Sequence, residues 1–418
     1  MAALPGVLRI REFRDLWIAQ TVSILGDSIY FLVFLFMAGK VSSDNFQVGL
    51  VMTASAAPFL LLSPYAGVIA DRLDRRKIMA FADFASAALT LGLAGFAWFE
   101  PLPSNWVIGS FAFALSCVNA FFMPARMAAL PRLVPESVLA EANGVFMTTQ
   151  QIVWMIGMAL SASVLAYIEK MLPNSFLFAA ALFNSATFLF SSYWVLRLPK
   201  ILPQMSEQGE EPKRGWVEFK QGLRVVLGDP VMRIALPVNV LSQMFISGFL
   251  IAYLAVNKAW FGDRFGTLAL IELSFAVSMA AFGLVVGRLN IRRPGFAFLF
   301  ATGIVGLTVL AMGWARELWL FVFWNVAAGI VIPFAWIPIQ TYIQAGFADS
   351  VRGRVSSAWV GTQMSVQPIG LLGIGPLIDW LGLTGAFVVI GGGMALASFA
   401  GLGSKACRDV EMPTAQAV

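Results

Sequence analysis

Two acidic residues, Asp27 and Glu272, lie inside long apolar stretches of this sequence, where a charged side chain is costly and usually functional. Asp27 lies about eleven residues into its stretch, which at about 1.5 Å per helical residue is near the middle of a membrane-spanning helix. Because the chain has no histidine, a proton carrier near neutral pH would have to be a carboxylate. Asp27 has three open interpretations: a proton-coupling group, a fixed anion for a cationic substrate, or a protonated acid bonded to a neighbouring helix.

Glu272 lies only a few residues inside the apolar stretch 267–287. It could act as an outer proton relay or bind a cation, but its position favours an interfacial acid whose carboxylate reaches water. Two further acids, Asp83 and Asp379, lie near the ends of apolar stretches and are interpreted as structural.

Uncharged polar residues recur at helical spacing in several of the apolar stretches. Residues three or four apart lie on one face of a helix, and three such residues share the face of Asp27. Groups of this kind could bind a substrate or simply join helices by hydrogen bonds, and the set as a whole favours a polar cavity. The predicted cavity residues are Gln20, Ser23, Tyr30, Gln150, Trp154, Asn239, Gln243, Gln340, Gln363 and Gln367.

The composition predicts a membrane around these residues. Of the 418 residues, 59% are hydrophobic and 12% are charged, whereas soluble proteins have about 25% charged residues. A membrane-spanning helix needs about 20 mostly apolar residues. Twelve such stretches occur along the chain: 16–38, 46–70, 78–98, 105–125, 144–168, 175–196, 232–256, 267–287, 295–314, 318–343, 355–378 and 384–403.

The Lys and Arg residues predict the orientation of these spans. When the spans are threaded from an inner N-terminus, all but five of the 28 Lys and Arg residues fall on the inner side. Cytoplasmic segments of membrane proteins carry the excess of Lys and Arg, so we predict that both termini are cytoplasmic. The net charge of +5 is then a topology signal, and no nucleic-acid partner is expected.

The longest polar stretch of the chain separates two halves with a common plan. We divide the chain into an N-terminal six-helix bundle (1–197), a cytoplasmic linker (198–230), a C-terminal six-helix bundle (231–404) and a cytoplasmic tail (405–418). Apolar residues at helical spacing predict an amphipathic helix in the linker, lying on the membrane surface. Short matches between the halves indicate an internal repeat, which is a common plan of secondary transporters.

Charge is concentrated in one short segment, "GVIADRLDRR", which follows the second span. This segment resembles the signature loop between helices two and three of the major facilitator superfamily. The segments "MPARMAALPRLVPESVLAEANGV" (123–145) and "RGRVSS" (352–357) resemble the branch that contains macrolide-efflux and enterobactin-exporter-type proteins. The residues that carry the loop resemblance are Gly67, Asp71, Arg72, Arg75 and Arg76.

The resemblance implies an all-α integral membrane protein with twelve transmembrane helices in two pseudo-symmetric six-helix bundles. It also implies transport by alternating access. In the family, the aspartate of the loop latches onto the start of helix eleven in the outward-open state, which here lies near 354–357. We therefore predict that the five loop residues form a conformational latch. The alternative is that this charged run only determines topology.

From the resemblance and the residues together we expect proton-coupled export of an amphipathic small molecule, such as a drug or a siderophore, across a bacterial inner membrane. The expected partners are this substrate, protons and the lipid bilayer, and the chain is expected to work as a monomer. The alternatives are a lipid or lysolipid transporter of the same fold, a uniporter or importer, and a membrane sensor that moves nothing. The direction stays open because the family's antiporter signature on helix five is reduced to "GMALSA" (157–162).

Several chemistries have no support in the sequence. It has no G-x-x-x-x-G-K-[ST] pattern, so ATP hydrolysis is not expected. It has no cluster of Cys and His residues, so we expect no metal site. We also expect no cofactor and no enzyme activity. Cys117 lies inside the fourth span and Cys407 in the tail, so no disulfide is expected.

Overall fold

The computed structural model describes residues 6–41, 45–70, 72–171, 175–202, 215–289 and 291–412, and these residues are almost entirely helical. The α-helices are α1 (Arg11–Val41), α2 (Asn45–Ala70), α3 (Arg75–Phe99), α4 (Asn105–Leu133), α5 (Leu139–Met171), α6 (Phe176–Leu196), α7 (Gly215–Gly228), α8 (Met232–Ser247), α9 (Phe249–Trp260), α10 (Phe265–Val286), α11 (Pro294–Met312), α12 (Leu318–Gly346), α13 (Asp349–Gly401) and α14 (Lys405–Asp409).

The helices confirm the twelve predicted spans. Among the described residues, nine helical stretches are long and apolar enough to cross a membrane, and α2 and α5, with 26 and 33 residues, have spanning length as well. One of the nine lies in α13, which has 53 residues and would be about 80 Å long if straight, more than two membrane crossings. Gly382 divides α13 into two spans, because its φ of 69° is outside the helical region.

The seventh span consists of two helices, α8 and α9, with a break at Gly248. A Cβ at Gly248 would lie 2.7 Å from Ile374 Cβ of α13, so the break lies where two helices pack closely. Gly370 of α13 in turn lies against the carbonyl of Met244, too close for any side chain. Gly370 of "PIGLLGIGP" therefore serves helix packing, as small residues do in membrane bundles.

The chain folds into two compact units, and the boundaries proposed at 197 and 231 stay a prediction. The first unit contains the described residues up to 202 except 45–49, and the second contains 45–49 and the described residues from 215 onward. In the first unit, the fully buried Phe13 packs edge-on against Phe146 with ring centroids 5.4 Å apart. In the second unit, Trp359 is almost fully buried against Phe298 at 6.1 Å.

The second unit includes the linker helix α7 and the tail helix α14. The sequence predicted that α7 lies on the membrane surface, whereas Val226 is fully buried in the core and Phe219 contacts Gly361 of α13. The apolar face of α7 therefore packs on protein. In α14 the buried Cys407 Sγ donates to the carbonyl of Val231 over 3.8 Å. Burial, with a smaller contribution from the charge of Asp229, raises the pKa of the Cys407 thiol to about 11.

Candidate functional site

Asp27 lies near the middle of α1, where its carboxylate meets a polar cluster on α6. Asn184 Nδ2 donates a hydrogen bond to Asp27 Oδ1 over 3.2 Å. Asn184 is fully buried, and its Oδ1 accepts a hydrogen bond from Thr187 Oγ1 over 3.1 Å. Within the described part of the chain, Asp27 forms no salt bridge. The acid therefore has a fixed amide partner and no resident counter-ion there.

Gly26 brings α1 and α6 together beside the acid. A Cβ at Gly26 would lie 2.5 Å from Asn184 Oδ1 and would overlap Thr187 Oγ1. Real Cβ atoms do not approach other atoms this closely, so any side chain at this position would push the two helices apart. Gly26 is thus required for the contact that gives Asp27 its partner.

A second close contact joins α1 to α5 directly after Asp27. Gly157 packs on Ser28, and a Cβ at Gly157 would overlap the Ser28 hydroxyl. Gly157 is the first residue of "GMALSA", the reduced helix-five signature. Here the small residue of that signature brings α5 against α1 next to the candidate proton site, which is a role that the sequence alone did not reveal.

Gln20 lies on the same face of α1 and meets a basic residue of α4. Arg126 Nη1 donates to Gln20 Oε1 over 3.4 Å, and the Arg126 guanidinium lies 5.6 Å from the centroid of the Phe146 ring. A cation over an aromatic face is stabilised by the ring quadrupole. Gln20 is therefore buried in a basic and aromatic environment.

The other predicted cavity residues of the first unit are close to α1 and α5. Ser23 and Tyr30 are buried, at 5% and 7% exposure, while Gln150 is half-buried. The Trp154 ring packs against Phe31 with centroids 5.5 Å apart. The structure brings Trp154 next to α1, and the shared substrate cavity stays a prediction.

The charged loop after α2 is held by Asp74, a residue that the sequence analysis did not single out. Asp74 Oδ1 accepts hydrogen bonds from the backbone N–H groups of Arg76 and Ile201, each over 3.1 Å. The first bond caps the N-terminus of α3, a position where Asp is favoured. The backbone N–H of Arg75 donates to the Ile201 carbonyl over 3.1 Å, so this loop and the segment after α6 are tied together.

The two arginines at the start of α3 bond to backbone carbonyls. Arg75 is buried, and it donates from Nε to the Ala70 carbonyl over 3.1 Å and from Nη1 to the Ala128 carbonyl over 3.2 Å. Arg76 Nη1 donates to the Leu198 carbonyl over 3.1 Å. These bonds connect the ends of α2, α3 and α4 and the segment after α6. They fix the loop in place.

The remaining latch residues are less well defined. Asp71 lies outside the described residues, so its predicted contact near 354–357 stays a prediction. Gly67 lies in α2, and Arg72 is exposed. In the second unit, Arg354 Nη1 donates to Gln221 Oε1 of α7 over 2.8 Å.

Asp83 has the structural role interpreted from the sequence. Its Oδ2 accepts a hydrogen bond from Ser191 Oγ over 2.6 Å, and the side chain is buried at 3% exposure. This bond joins α3 to α6 within the first unit. Asp83 is therefore a second buried acid with a hydroxyl partner, distinct from the Asp27 cluster.

In the second unit, three of the predicted cavity residues come together. Gln363 Nε2 donates to Asn239 Oδ1 over 3.3 Å, and both side chains are buried. Asn239 and Gln243 line a cavity of about 20 Å³, which is enough for about one water molecule. Gln340 is half-buried in α12, and Gln367 is exposed on α13. The structure does not bring these last two into the same cavity.

Glu272 faces a larger cavity inside the second unit, with a volume of about 160 Å³. Its Oε1 is buried and has no hydrogen-bond partner among the described residues. Glu272 as a whole is half-buried, so the expectation of an interfacial acid that reaches water stays a prediction. Tyr253 lines the same cavity, and its hydroxyl donates to Asn325 Oδ1.

Sequence reasoning missed three polar residues that the structure shows to be central. Asn184 and Asn325 are fully buried amides in the middle of apolar spans, and Tyr253 contacts one of them. The available signal for Asn184 and Asn325 was an isolated polar residue in an apolar span. The predicted cavity residues chosen by that signal were mainly glutamines. Among the described residues, no group of three or more acidic or Cys side chains could hold a metal ion.

Comparison with known proteins places the chain in a family. Residues 16–266 match the sequence profile of the Major Facilitator Superfamily. The chain is 24% identical over 392 residues to macrolide efflux protein A of Streptococcus pyogenes, covering 91% of this chain and 92% of that protein. It is 27% identical over 327 residues to macrolide efflux protein A of Enterococcus faecalis, covering 75% and 95%.

The fold is shared with a transporter of known structure. The crystal structure of nucleoside transporter NupG has a TM-score of 0.70 and 13% sequence identity, and the match covers 94% of this chain and 98% of that one. The twelve spans and the profile match agree with this likeness. The chain therefore belongs to the Major Facilitator Superfamily and is a secondary transporter rather than an enzyme.

Proposed function

We propose that this transporter exports an amphipathic small molecule in exchange for protons, and that Asp27 carries the proton. The observation that supports this role most directly is the hydrogen bond between the half-buried Asp27 and the fully buried Asn184. A membrane-embedded carboxyl without a cationic partner among the described residues is free to exist in both protonation states as the helices move. The similarity to two macrolide efflux proteins supports export and a large amphipathic substrate.

The hydrogen bond from Asn184 distinguishes the two carboxyl oxygens of Asp27. Asn184 Nδ2 is a hydrogen-bond donor in every protonation state of Asp27, and it occupies Oδ1. A proton taken up by Asp27 would therefore reside on Oδ2. Gly26 packs against α6 and Ser28 packs against α5, one on each side of Asp27. Protonation of Oδ2 would therefore take place where α1 is in close contact with both helices. Movement of α1 against α5 or α6 would change the access of Oδ2 to protons.

The proposal includes the charged loop as a conformational latch. The bonds of Asp74, Arg75 and Arg76 to backbone groups tie these three residues to neighbouring segments, which supports a role for the preceding charged residue, Asp71, in a defined contact. In this proposal the protein lies in a bacterial inner membrane with both termini in the cytoplasm, as the distribution of Lys and Arg predicts.

The test is proton movement in inverted membrane vesicles with an acidic interior. Macrolides, catecholate siderophores, lipophilic cations and lysolipids are added one at a time, and release of protons is followed with a pH-sensitive dye. We expect at least one amphipathic compound to collapse the gradient in the wild type and to leave it intact in Asp27→Asn.

Asp83→Asn is the matched control for this experiment. It removes a buried carboxyl from the same unit but keeps an oxygen that can accept from Ser191. We expect it to respond like the wild type when its protein level is equal. An equal response of Asp27→Asn and wild type would refute the role of Asp27, and the absence of proton release with a compound that is demonstrably exported would refute antiport.

A groove on the first unit favours lipid or lysolipid as a second candidate substrate. It has a volume of about 550 Å³, lies among α2, α3 and α4, and is lined mostly by apolar side chains, with Lys77 and Asp74 as its charged residues. Phe81, which lines it, is 71% exposed, so the groove is open at the side of the helices. Protection of a fluorescent lysolipid headgroup from a membrane-impermeant quencher, in vesicles with and without the protein, would distinguish this substrate from a drug.

A further inference from the structure

We propose that the cavity at Glu272 is a binding site for the ammonium group of an organic cation, with Glu272 as its counter-ion. The site lies wholly inside the second unit and is separate from the Asp27 cluster. The inference rests on the proposed function in one respect, namely that the cation is part of a transported amphipathic molecule. The lining residues are Ile246, Phe249, Leu250, Tyr253, Glu272, Phe275, Val305, Val309, Ala328 and Ile332.

Glu272 is the charged residue of this lining, and its position is unusual. The side chain starts seven residues after the beginning of α10, about 10 Å along the helix. Its Oε1 is buried without a hydrogen-bond partner among the described residues. Burying a carboxylate without a partner is expensive, so buried charges in proteins are normally paired. A cation in the adjoining cavity would supply the missing partner.

Three aromatic rings complete the cavity around this carboxyl group. Phe249, Tyr253 and Phe275 contribute to the lining, and the first two pack edge to face with centroids 5.0 Å apart. Aromatic faces attract cations, and cages of such rings recognise quaternary ammonium groups. The remaining lining is aliphatic and suits the alkyl substituents of such a group.

The same lining argues against a metal ion. A hard cation such as Ca²⁺ takes about 6–8 oxygen ligands, and the described lining offers the Glu272 carboxyl group and the Tyr253 hydroxyl. That hydroxyl is already used, because it donates to Asn325 Oδ1. An organic ammonium ion needs one anion and apolar surroundings, which is what the described lining provides.

Asn325 holds the aromatic wall in place. Its Nδ2 donates to the Ile271 carbonyl over 2.6 Å and to Ser274 Oγ over 3.1 Å, while its Oδ1 accepts from Tyr253. One buried amide of α12 is therefore bonded to α9 and α10, the helices that carry Tyr253 and Glu272. This arrangement fixes the ring and the carboxyl group relative to each other, and a preformed site loses less entropy when it binds.

The size of the cavity sets the kind of ligand. Pockets for drug-sized molecules have volumes of about 300–1,000 Å³, whereas this cavity has about 160 Å³. It therefore accommodates the charged head of a substrate, such as a dimethylamino or trimethylammonium group, while the rest of the molecule stays outside it.

The experiment is direct binding to the purified full-length protein in nanodiscs, measured by isothermal titration calorimetry without any proton gradient. The probe is tetramethylammonium chloride, with sodium chloride as the reference for ionic strength and 2-methylpropan-2-ol as a neutral, tetrahedral analogue of similar size. We expect saturable binding of tetramethylammonium only. Glu272→Gln should weaken it at least about tenfold, and Tyr253→Phe, which keeps the ring, should stay within about threefold.

Phe275→Leu provides a second variant in case Glu272→Gln does not fold. It keeps the carboxyl group and removes one ring, so we expect an intermediate loss of affinity. The proposal is overturned if the wild type shows no saturable binding, if the neutral analogue binds equally well, or if folded Glu272→Gln binds like the wild type.

Asp27→Asn separates this proposal from the proposed function. We expect it to bind tetramethylammonium like the wild type, because Asp27 is not part of the cavity. Intact binding together with Asp27-independent proton release would refute the proton role of Asp27 and leave the cation site standing. Absent binding together with Asp27-dependent proton release would refute the cation site alone.

Discussion

Asp27 and Glu272 are both half-buried acids in membrane helices, but their surroundings differ. Asp27 receives a hydrogen bond from Asn184 at a joint where Gly26 allows α1 and α6 to touch. Glu272 has a buried Oε1 with no partner among the described residues, next to a cavity of about 160 Å³. The first acid is built into helix packing, and the second faces open space.

The different surroundings of the two carboxyl groups are the basis for proposing different ligands for them. A carboxyl group that is bonded to an amide between two closely packed helices is suited to binding a proton. Protonation there would change the contact between the two helices. A carboxyl group beside a cavity of about 160 Å³ is suited to a ligand larger than a proton. The following predictions test the comparison by disturbing one site at a time.

The largest effect is expected for Gly26→Val. Its side chain would overlap Thr187 Oγ1 and lie too close to Asn184, so α1 and α6 would have to separate. Overpacking a close helix contact in this way should cost about 3 kcal/mol or more. We expect little or no folded protein by fluorescence-detected size-exclusion chromatography.

Gly95→Val of α3 is the control for this substitution, since a Cβ there has no neighbour within 4 Å. It should leave the elution profile and the thermal midpoint close to those of the wild type. A folded Gly26→Val protein with an unchanged midpoint would show that the joint at Asp27 is loose, and the contrast with Glu272 would disappear.

The next effect is expected for Asn325→Ala in the second unit. This change removes one hydrogen bond with Tyr253 and two bonds to α10, and it leaves a buried hydroxyl in need of a partner. Interhelical hydrogen bonds in membranes average about 0.6 kcal/mol each, so with the cavity created the loss should be about 2 kcal/mol. A thermal-unfolding assay should show a clear decrease, larger than for Tyr253→Phe, which removes only one of these bonds.

Equal midpoints for Asn325→Ala and Tyr253→Phe would indicate that the bonds to Ile271 and Ser274 contribute little. Asn325 would then not hold the aromatic wall of the Glu272 cavity in place. The Glu272 site could no longer be described as preformed.

A smaller effect is expected for Asn184→Ala. The substitution removes the hydrogen bond to Asp27 and one of the two acceptors of Thr187, whose hydroxyl keeps its bond to the backbone carbonyl at position 184, while the packing of Gly26 remains. The expected loss of stability is about 1 kcal/mol, within the range measured for polar contacts between membrane helices. Proton release in the vesicle assay should decrease although the protein is folded, because Asp27 loses the group that orients it.

Asn143→Ala is a suitable control, since this exposed asparagine donates only to the Leu139 carbonyl of its own helix. Full proton release in Asn184→Ala would show that Asp27 works without the hydrogen bond from the amide. The hydrogen-bond partner of Asp27 would then not explain a functional difference between Asp27 and Glu272.

The sequence predicted the fold of these sites better than their partners. Apolar length located the spans, and the position of Asp27 in the first span followed from counting residues. Its partner Asn184 lies 157 residues away, and no local pattern specifies which faces of two helices meet. That pairing depends on packing across the bundle. Gly26 allows the close contact, but a glycine at this position does not indicate which helix will lie against it.

The cavity beside Glu272 could not be predicted for a related reason. The distance of Glu272 from the end of its span predicts contact with water, and this stays a prediction, but that distance does not give the direction of the side chain around the helix axis. The helices packed against α10 set that direction. The apolar residues on neighbouring helices that make its cavity are individually ordinary, and only their assembly leaves a space of about 160 Å³. Voids of this kind have no sequence signature.

The smallest effect on stability is expected for Glu272→Gln. The buried Oε1 has no hydrogen bond to lose among the described residues, and the amide carries no charge that must be desolvated. The free energy of unfolding should therefore change by no more than about 0.5 kcal/mol. A loss of more than about 2 kcal/mol in the thermal-unfolding assay would mean that the Glu272 carboxyl group stabilises the fold through a contact, as the Asp83 carboxyl group does. The roles of Asp27 and Glu272 would then differ less than their surroundings indicate.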